Sequence, residues 1–159
     1  MDDMERAAAE YAKGIPYYQD RKGNCAEDFM AGARWAVKAL AGRNDGDTQV
    51  MDLSVARDFS RRTGMGREAD GMCSGELFRE RFLSPMVREA IRENKLLRVS
   101  LDGTSGLAQS FLEEAFGGLI REGIPYWDVI RHVRVISDND LSLIDDIDGY
   151  MDVARSLLA

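Results

Sequence analysis

Hydrophobic and polar positions along the chain change period several times, and each change marks an element. Near the amino end, Met4, Ala7, Ala8, Tyr11 and Ala12 recur at helical spacing. Gly14, Ile15 and Pro16 stop that helix, and a polar connection follows. Asn24 and Glu27 form a capping pair for a second helix with Phe29, Met30, Ala33, Val37 and Leu40 on its apolar face. Gly42 ends it. Helices of about 12 residues are marginal alone in water. The helical pair over residues 1–42 is therefore expected to dock on the rest of the chain or to pair two copies as a homodimer. Residues 43–47 are polar and turn-forming, the composition of a linker.

Beyond the linker the period becomes that of a strand. Met51, Leu53 and Val55 alternate with Asp52 and Ser54. Residues 57–73 are rich in charge and glycine and have little period. The isolated Gly64-Met65-Gly66 reads as a turn, since no phosphate-loop residues follow it. Arg61, Arg62 and Arg67 in this loop are candidates for holding an anion or an acidic partner; a solvated loop is the other reading.

Ser74 opens a helix with the stripe Leu77, Phe78, Phe82, Met86, Val87 and Ile91. Pro85, in mid-pattern, predicts a kink or break near residues 83–85. Asn94 stops the helix ahead of a central strand, where Leu97, Val99 and Leu101 alternate with Arg98, Ser100 and Asp102. Gly103 to Gly106 supply a turn, and Phe111, Leu112, Ala115, Phe116, Leu119 and Ile120 form the face of the next helix. Ser110, three residues before Glu113, predicts a capping box at its start. A short helix from Tyr126, a strand through Val133, Val135 and Ile136, and a last helix after Asp138–Asp140 complete the pattern. The last helix is expected to turn Leu141, Ile144, Ile147, Met151, Ala154, Leu157 and Leu158 inward.

Alternating strands and helices predict an α/β domain over residues 48–159, a sheet with helices packed on it. In such sheets ligands and partners meet the loops at the carboxyl ends of the strands. That makes Asp102, Gly103, Thr104, Ser105 and Ser110 the first candidates for a partner-binding or regulatory site.

Composition narrows the function. A chain of 159 residues, 45% hydrophobic, has room for one domain and a small appendage. Its net charge of −7 disfavours binding to phosphate backbones, so no nucleic-acid partner is expected. No run reaches transmembrane length and no leader pattern opens the chain, so no membrane partner and a cytoplasmic location are expected. Cys25 and Cys73 lack metal-type spacing and are expected to be free thiols.

Catalytic chemistry finds no constellation. His132 is the single histidine and is expected in a surface or structural role. The acidic run Asp138, Asp140, Asp145, Asp146 and Asp148 fails the calcium-loop register: with Gly149 as the loop glycine, Ile144 takes the first ligand position and Arg155 the last. Glu113 and Glu114 read as first-turn carboxylates that complement the helix dipole. No catalytic residue, metal or cofactor is assigned, and the chain is expected not to be an enzyme.

One family resemblance rests on the same residues. Val99-Ser100-Leu101-Asp102-Gly103, the block from Ser110 through Phe111, Leu112, Glu113, Glu114, Ala115 and Phe116 to Gly118, and Ser74 to Phe78 carry it, with Val55 to Ser60, Gly66 and Arg67 in support. Over residues 48–158 the chain resembles the STAS-like domains of unknown function found in bacterial and mobile-element proteins, which are similar to anti-sigma-factor antagonists. The resemblance implies a STAS-like sheet, a non-catalytic module for regulation or protein–protein interaction, and a partner such as a kinase-like ATPase. It also places Ser110 at the position phosphorylated in those antagonists, although Phe111 follows where they carry a Ser/Thr-Gly type sequence. Capping and a phospho-regulated switch both remain open for Ser110. The alternatives are a small-ligand or nucleotide sensor using the loop after the central strand, with Arg61, Arg62 or Arg67 supplying charge, and, less favoured, an enzyme in which Asp102 and Ser110 act on a bound ligand.

Overall fold

The computed structural model describes residues 32–34, 49–67, 69 and 71–158. The chain divides into two units, Met1–Asp45 and Gly46–Ala159. In the first, Gly32, Ala33 and Arg34 are helical. The rest of the expected helical pair, its pairing role, the 43–47 linker and Cys25 lie outside the described residues.

The second unit is an α/β fold. β1 (Val50–Ser54), β2 (Leu96–Ser100) and β3 (Val133–Ile136) form a parallel sheet in the order β1-β2-β3. Leu53 pairs with Val99 and Val99 with Val135, while Asp52 pairs with Arg98 and Arg98 with Arg134. Side chains alternate between faces along a strand. The face with Leu53, Leu97, Val99 and Val133 is therefore buried, and the face with Asp52 and Arg98 carries their bidentate ion pair at 2.7 and 2.9 Å.

Between the strands run α1 (residues 75–92), α2 (residues 109–121) and α3 (Tyr126–His132), and α4 (Ser142–Leu158) closes the chain. Both long crossover helices contain a wide, π-helical turn: Arg79–Leu83 in α1 and Glu113–Gly117 in α2. In α1 the Ser84 N–H donates to Arg79 O, five residues back. Pro85 follows at once. It has no N–H to give, and its ring would crowd a carbonyl of a regular helix. The wide turn absorbs that conflict, and the helix continues through Pro85 without the break that was one of the two expected outcomes.

The core lies between these helices and the buried sheet face. Phe78, Phe111, Phe116, Leu83, Leu97 and Leu119 are fully buried. Phe59, from a π-helical turn Val55–Phe59 that the sequence did not signal, joins Phe78 and Phe111 with ring centroids 5.3 and 6.3 Å away. Glycines allow the helices to approach closely. A Cβ on Gly75 would lie 2.2 Å from the Phe111 carbonyl oxygen, a distance real side chains do not tolerate. At Gly118 the space is filled by the buried Arg79 side chain, whose Nη1 sits 2.9 Å from Glu114 Oε1.

The last helix differs from its sequence reading. Ile147, Met151 and Ala154 are buried as expected. Leu141, however, is 70% exposed and Leu157 76%. α4 begins only at Ser142, so Leu141 precedes it, and Leu157 lies off the 147-151-154 stripe. Leu158, in phase with Ala154, is exposed as well.

Candidate functional site

Two loops meet at the carboxyl ends of β1 and β2. After β1, the Ser54 hydroxyl accepts the Arg57 N–H at 3.2 Å and caps the π-helical turn. The Ser54 N–H donates to Asp58 Oδ2 at 2.8 Å, and the Arg57 guanidinium holds both Asp58 oxygens at 2.9 Å. Hydrogen bonds from Arg57 and from the Ser54 amide keep the Asp58 carboxyl below its ordinary range.

After β2, the Asp102 carboxylate turns inward on the fold. It accepts the Asp138 N–H at 3.0 and 3.1 Å and the Asn139 N–H at 3.2 Å, so it fastens the loop leaving β3. Gly103 follows at φ +88, a left-handed conformation suited to glycine. Thr104 donates through its hydroxyl to Leu101 O at 3.2 Å.

The loops are bonded to each other across more than 40 residues of sequence. The Ser105 N–H donates to Arg61 O at 2.8 Å and the Ser105 hydroxyl to the same oxygen at 3.2 Å. Thr63 donates through its hydroxyl to Gly106 O at 3.0 Å. Gly66 packs on the backbone of Ser110, where a Cβ would lie 2.6 Å from the Ser110 carbonyl oxygen. The arginine loop and the loop after the central strand thus form one rim. Arg61, Arg62 and Arg67 are exposed on it, and none is in an ion pair among the described residues.

Gly64 and Gly66 do not cradle a phosphate. A Cβ on Gly64 would meet the Met72 carbonyl oxygen at 2.4 Å, so the glycines serve close packing. The free amides at the start of α1 also have acceptors already: Gly75 N–H bonds Met65 O, Glu76 N–H bonds Gly66 O, and Leu77 N–H bonds the buried Ser74 hydroxyl.

Ser110 departs from its expected place. The N-cap of α2 is Ala108, extended at φ −67 and ψ 144, and Ser110 is the second residue inside the helix. Its exposed hydroxyl caps no amide; Met65 Sδ is 4.0 Å away. Glu113 and Glu114, placed past the first turn, pair with Arg121, and Glu114 also with Arg79.

A shallow pocket of about 500 Å³ opens in the rim, lined by Ser54, Ala56, Arg57, Arg61 and Gly103. Arg61 and Gly103 are brought together there from separate loops. Ser54, Ala56 and Arg57 were missed, although the rule that pointed to Asp102 also points to residues after β1. Arg62, Arg67 and Ser110 lie on the rim but do not line the pocket.

The other chemical candidates have structural surroundings. Buried His132 carries its proton on Nδ1, which donates to Lys95 O at 2.9 Å, since a carbonyl only accepts. Cys73 is a half-buried free thiol. Among the described residues no group of three or more His, Cys, Asp or Glu could hold a metal ion, and no helix is long and apolar enough to cross a membrane.

A parallel α/β sheet with helices packed on it, and loops bonded together at its carboxyl edge, defines the class of domain. Within it, residues 74–142 match the family model of a STAS-like domain of unknown function. The matched span runs from the Ser74 cap through β2, α2 and β3 to the start of α4, so β1 and the arginine loop lie outside it. Neither the curated proteins nor the solved structures gave a match.

Proposed function

We propose that the chain is a non-catalytic regulatory module that binds an acidic protein segment through the rim formed by residues 60–67 and 102–110. The observation that carries this reading is the bonding of the two loops into one exposed edge. That edge presents Arg61, Arg62 and Arg67, in no ion pair among the described residues, on a chain of net charge −7. Such a local reversal of sign steers an acidic partner to one face and sets its orientation. Ser110 suits a regulatory position: its hydroxyl is exposed and carries no capping duty. A phosphate there would add about −1.5 to −2 charge beside the arginines, and would compete with the acidic segment for them.

The test is capture of a partner on the wild-type chain, followed by titration of the purified pair. Arg61→Glu, Arg62→Glu and Arg67→Glu together are expected to weaken binding at least tenfold without moving the melting temperature. Ser110→Asp is expected to weaken it and Ser110→Ala to leave it intact. Equal affinity for wild-type and triple-Glu forms would overturn the reading. The pocket of Ser54, Ala56, Arg57, Arg61 and Gly103 favours a second reading, a small-ligand sensor that uses the same rim.

A further inference from the structure

We infer that the rim pocket takes a small phosphate ester, an inference that rests on the sensor reading of the rim. Its location is where parallel sheets bind ligands, at the carboxyl ends of adjacent strands. Its volume of about 500 Å³ lies within the range of small-molecule sites.

The lining supplies donors for an oxyanion. Arg61 brings a guanidinium that is in no ion pair among the described residues, on a backbone anchored by two bonds from Ser105. Arg57 spends Nε and Nη2 on Asp58, which leaves Nη1 to donate. Ser54 Oγ accepts the Arg57 amide, so its own proton is available. Gly103 and Ala56 form a wall without bulk: a Cβ on Gly103 would already lie 3.1 Å from the Ala56 Cβ.

Charge and shape select the ligand class. The Arg57–Asp58 pair is neutral as a unit, so Arg61 supplies the net positive charge facing the pocket. Two arginines and a serine among the five lining residues can together supply more than two donors. A phosphate presents three terminal oxygens tetrahedrally, whereas a carboxylate presents two in one plane. The pocket exceeds a bare phosphate in size, which leaves room for a short organic group.

Nitrogen-15 amide spectra of the full chain test this, during titration with inorganic phosphate, glycerol 3-phosphate, citrate and glycerol at constant ionic strength. Saturable shifts at Ser54, Ala56, Arg57, Arg61 and Gly103 are expected with both phosphate compounds, stronger with the ester, and none with glycerol. Arg61→Gln should weaken this binding about tenfold, as expected for a lost charge-assisted bond. Arg98→Gln, on the open sheet face, should leave it unchanged. Because Arg61 is exposed, its variant is expected to keep the wild-type spectrum elsewhere, which separates lost binding from lost folding. Pocket shifts with citrate but not with phosphate would overturn the phosphate class and leave the sensor reading standing. A pocket silent to every anion, or an Arg61→Gln affinity equal to wild type, would overturn the inference.

Discussion

Ser110 shows how one residue's duty depends on where a helix starts. A serine that caps a helix loses about 0.5–2 kcal/mol on replacement by alanine. Here Ala108 holds the cap position, and the Ser110 hydroxyl is exposed inside the first turn. Ser110→Ala is therefore expected to change stability by less than about 0.5 kcal/mol, the range of ordinary surface substitutions. Urea unfolding of the two proteins checks this, and a loss above about 1 kcal/mol would return Ser110 to the cap. The sequence signal was real but ambiguous: a serine three residues before a glutamate fits a cap or a first turn equally. The structure starts the helix after Ala108, and Gly66, distant in sequence, packs on the Ser110 carbonyl, a contact no local pattern encodes.

At the scale of elements, the crossing of α1 and α2 sets two opposing magnitudes against each other at Gly75. By helix propensity alone, alanine would stabilise this position by up to about 1 kcal/mol. The packing argues the other way, because the new methyl would lie 2.2 Å from a backbone oxygen of Phe111, which has no rotamer to yield. Overpacking costs typically about 1–3 kcal/mol, so Gly75→Ala is expected to destabilise by roughly 1–2 kcal/mol in a thermal or urea melt. A stabilised Gly75→Ala protein would show that the helices do not cross this closely. The strands were legible because alternation of Leu97, Val99 and Leu101 with polar neighbours has one meaning. The buried stripe of α1 was legible in outline. Its wide turn was not: the added residue shifts the helical phase by about 100° and buries Leu83 five residues after Phe78, but the apolar positions Phe78, Phe82 and Met86 also fit an uninterrupted helix. The Val55–Phe59 turn was hidden for a different reason: Phe59 sits alone in a charged stretch, and only its ring partners Phe78 and Phe111 reveal that it packs against the core while half-buried.

For the whole molecule, exposed ion pairs set the response to pH. Asp52 is held below the ordinary carboxyl range by its Arg98 hydrogen bonds, Asp58 by Arg57 and the Ser54 amide, and Glu93 by Lys95. A carboxyl lowered on folding contributes stability above its unfolded value and loses that contribution as pH falls through the folded value. Lys95, raised by Glu93, contributes below its unfolded value and loses this as pH rises through the folded one. The melting temperature is expected to be flat near neutrality, to fall below about pH 4, and to fall again above about pH 10.5. Asp52→Asn with Asp58→Asn should flatten the acid limb, as should high salt, because these pairs are exposed and screened. An acid limb unchanged in the double variant would place its origin elsewhere. The candidate rim belongs to this scale too. Its arginines and the loop after the central strand were each legible, but their union rests on bonds such as Thr63 to Gly106, which join residues far apart in sequence.

The wide turns of α1 and α2 have a consequence for how such chains vary in length. A π-helical turn holds one more residue than an α-helical turn within the same hydrogen-bonded frame. Removing one exposed residue of α1, Glu80 or Arg81, would relax the turn to ordinary helix and leave Phe78 on one side and Val87 on the other still facing the core. Pro85 sets the condition, for it would then need another way to spare the carbonyl before it. With Pro85 replaced, a chain one residue shorter at this turn is expected to keep the fold, so a change of length can be taken up inside this helix as well as in a loop.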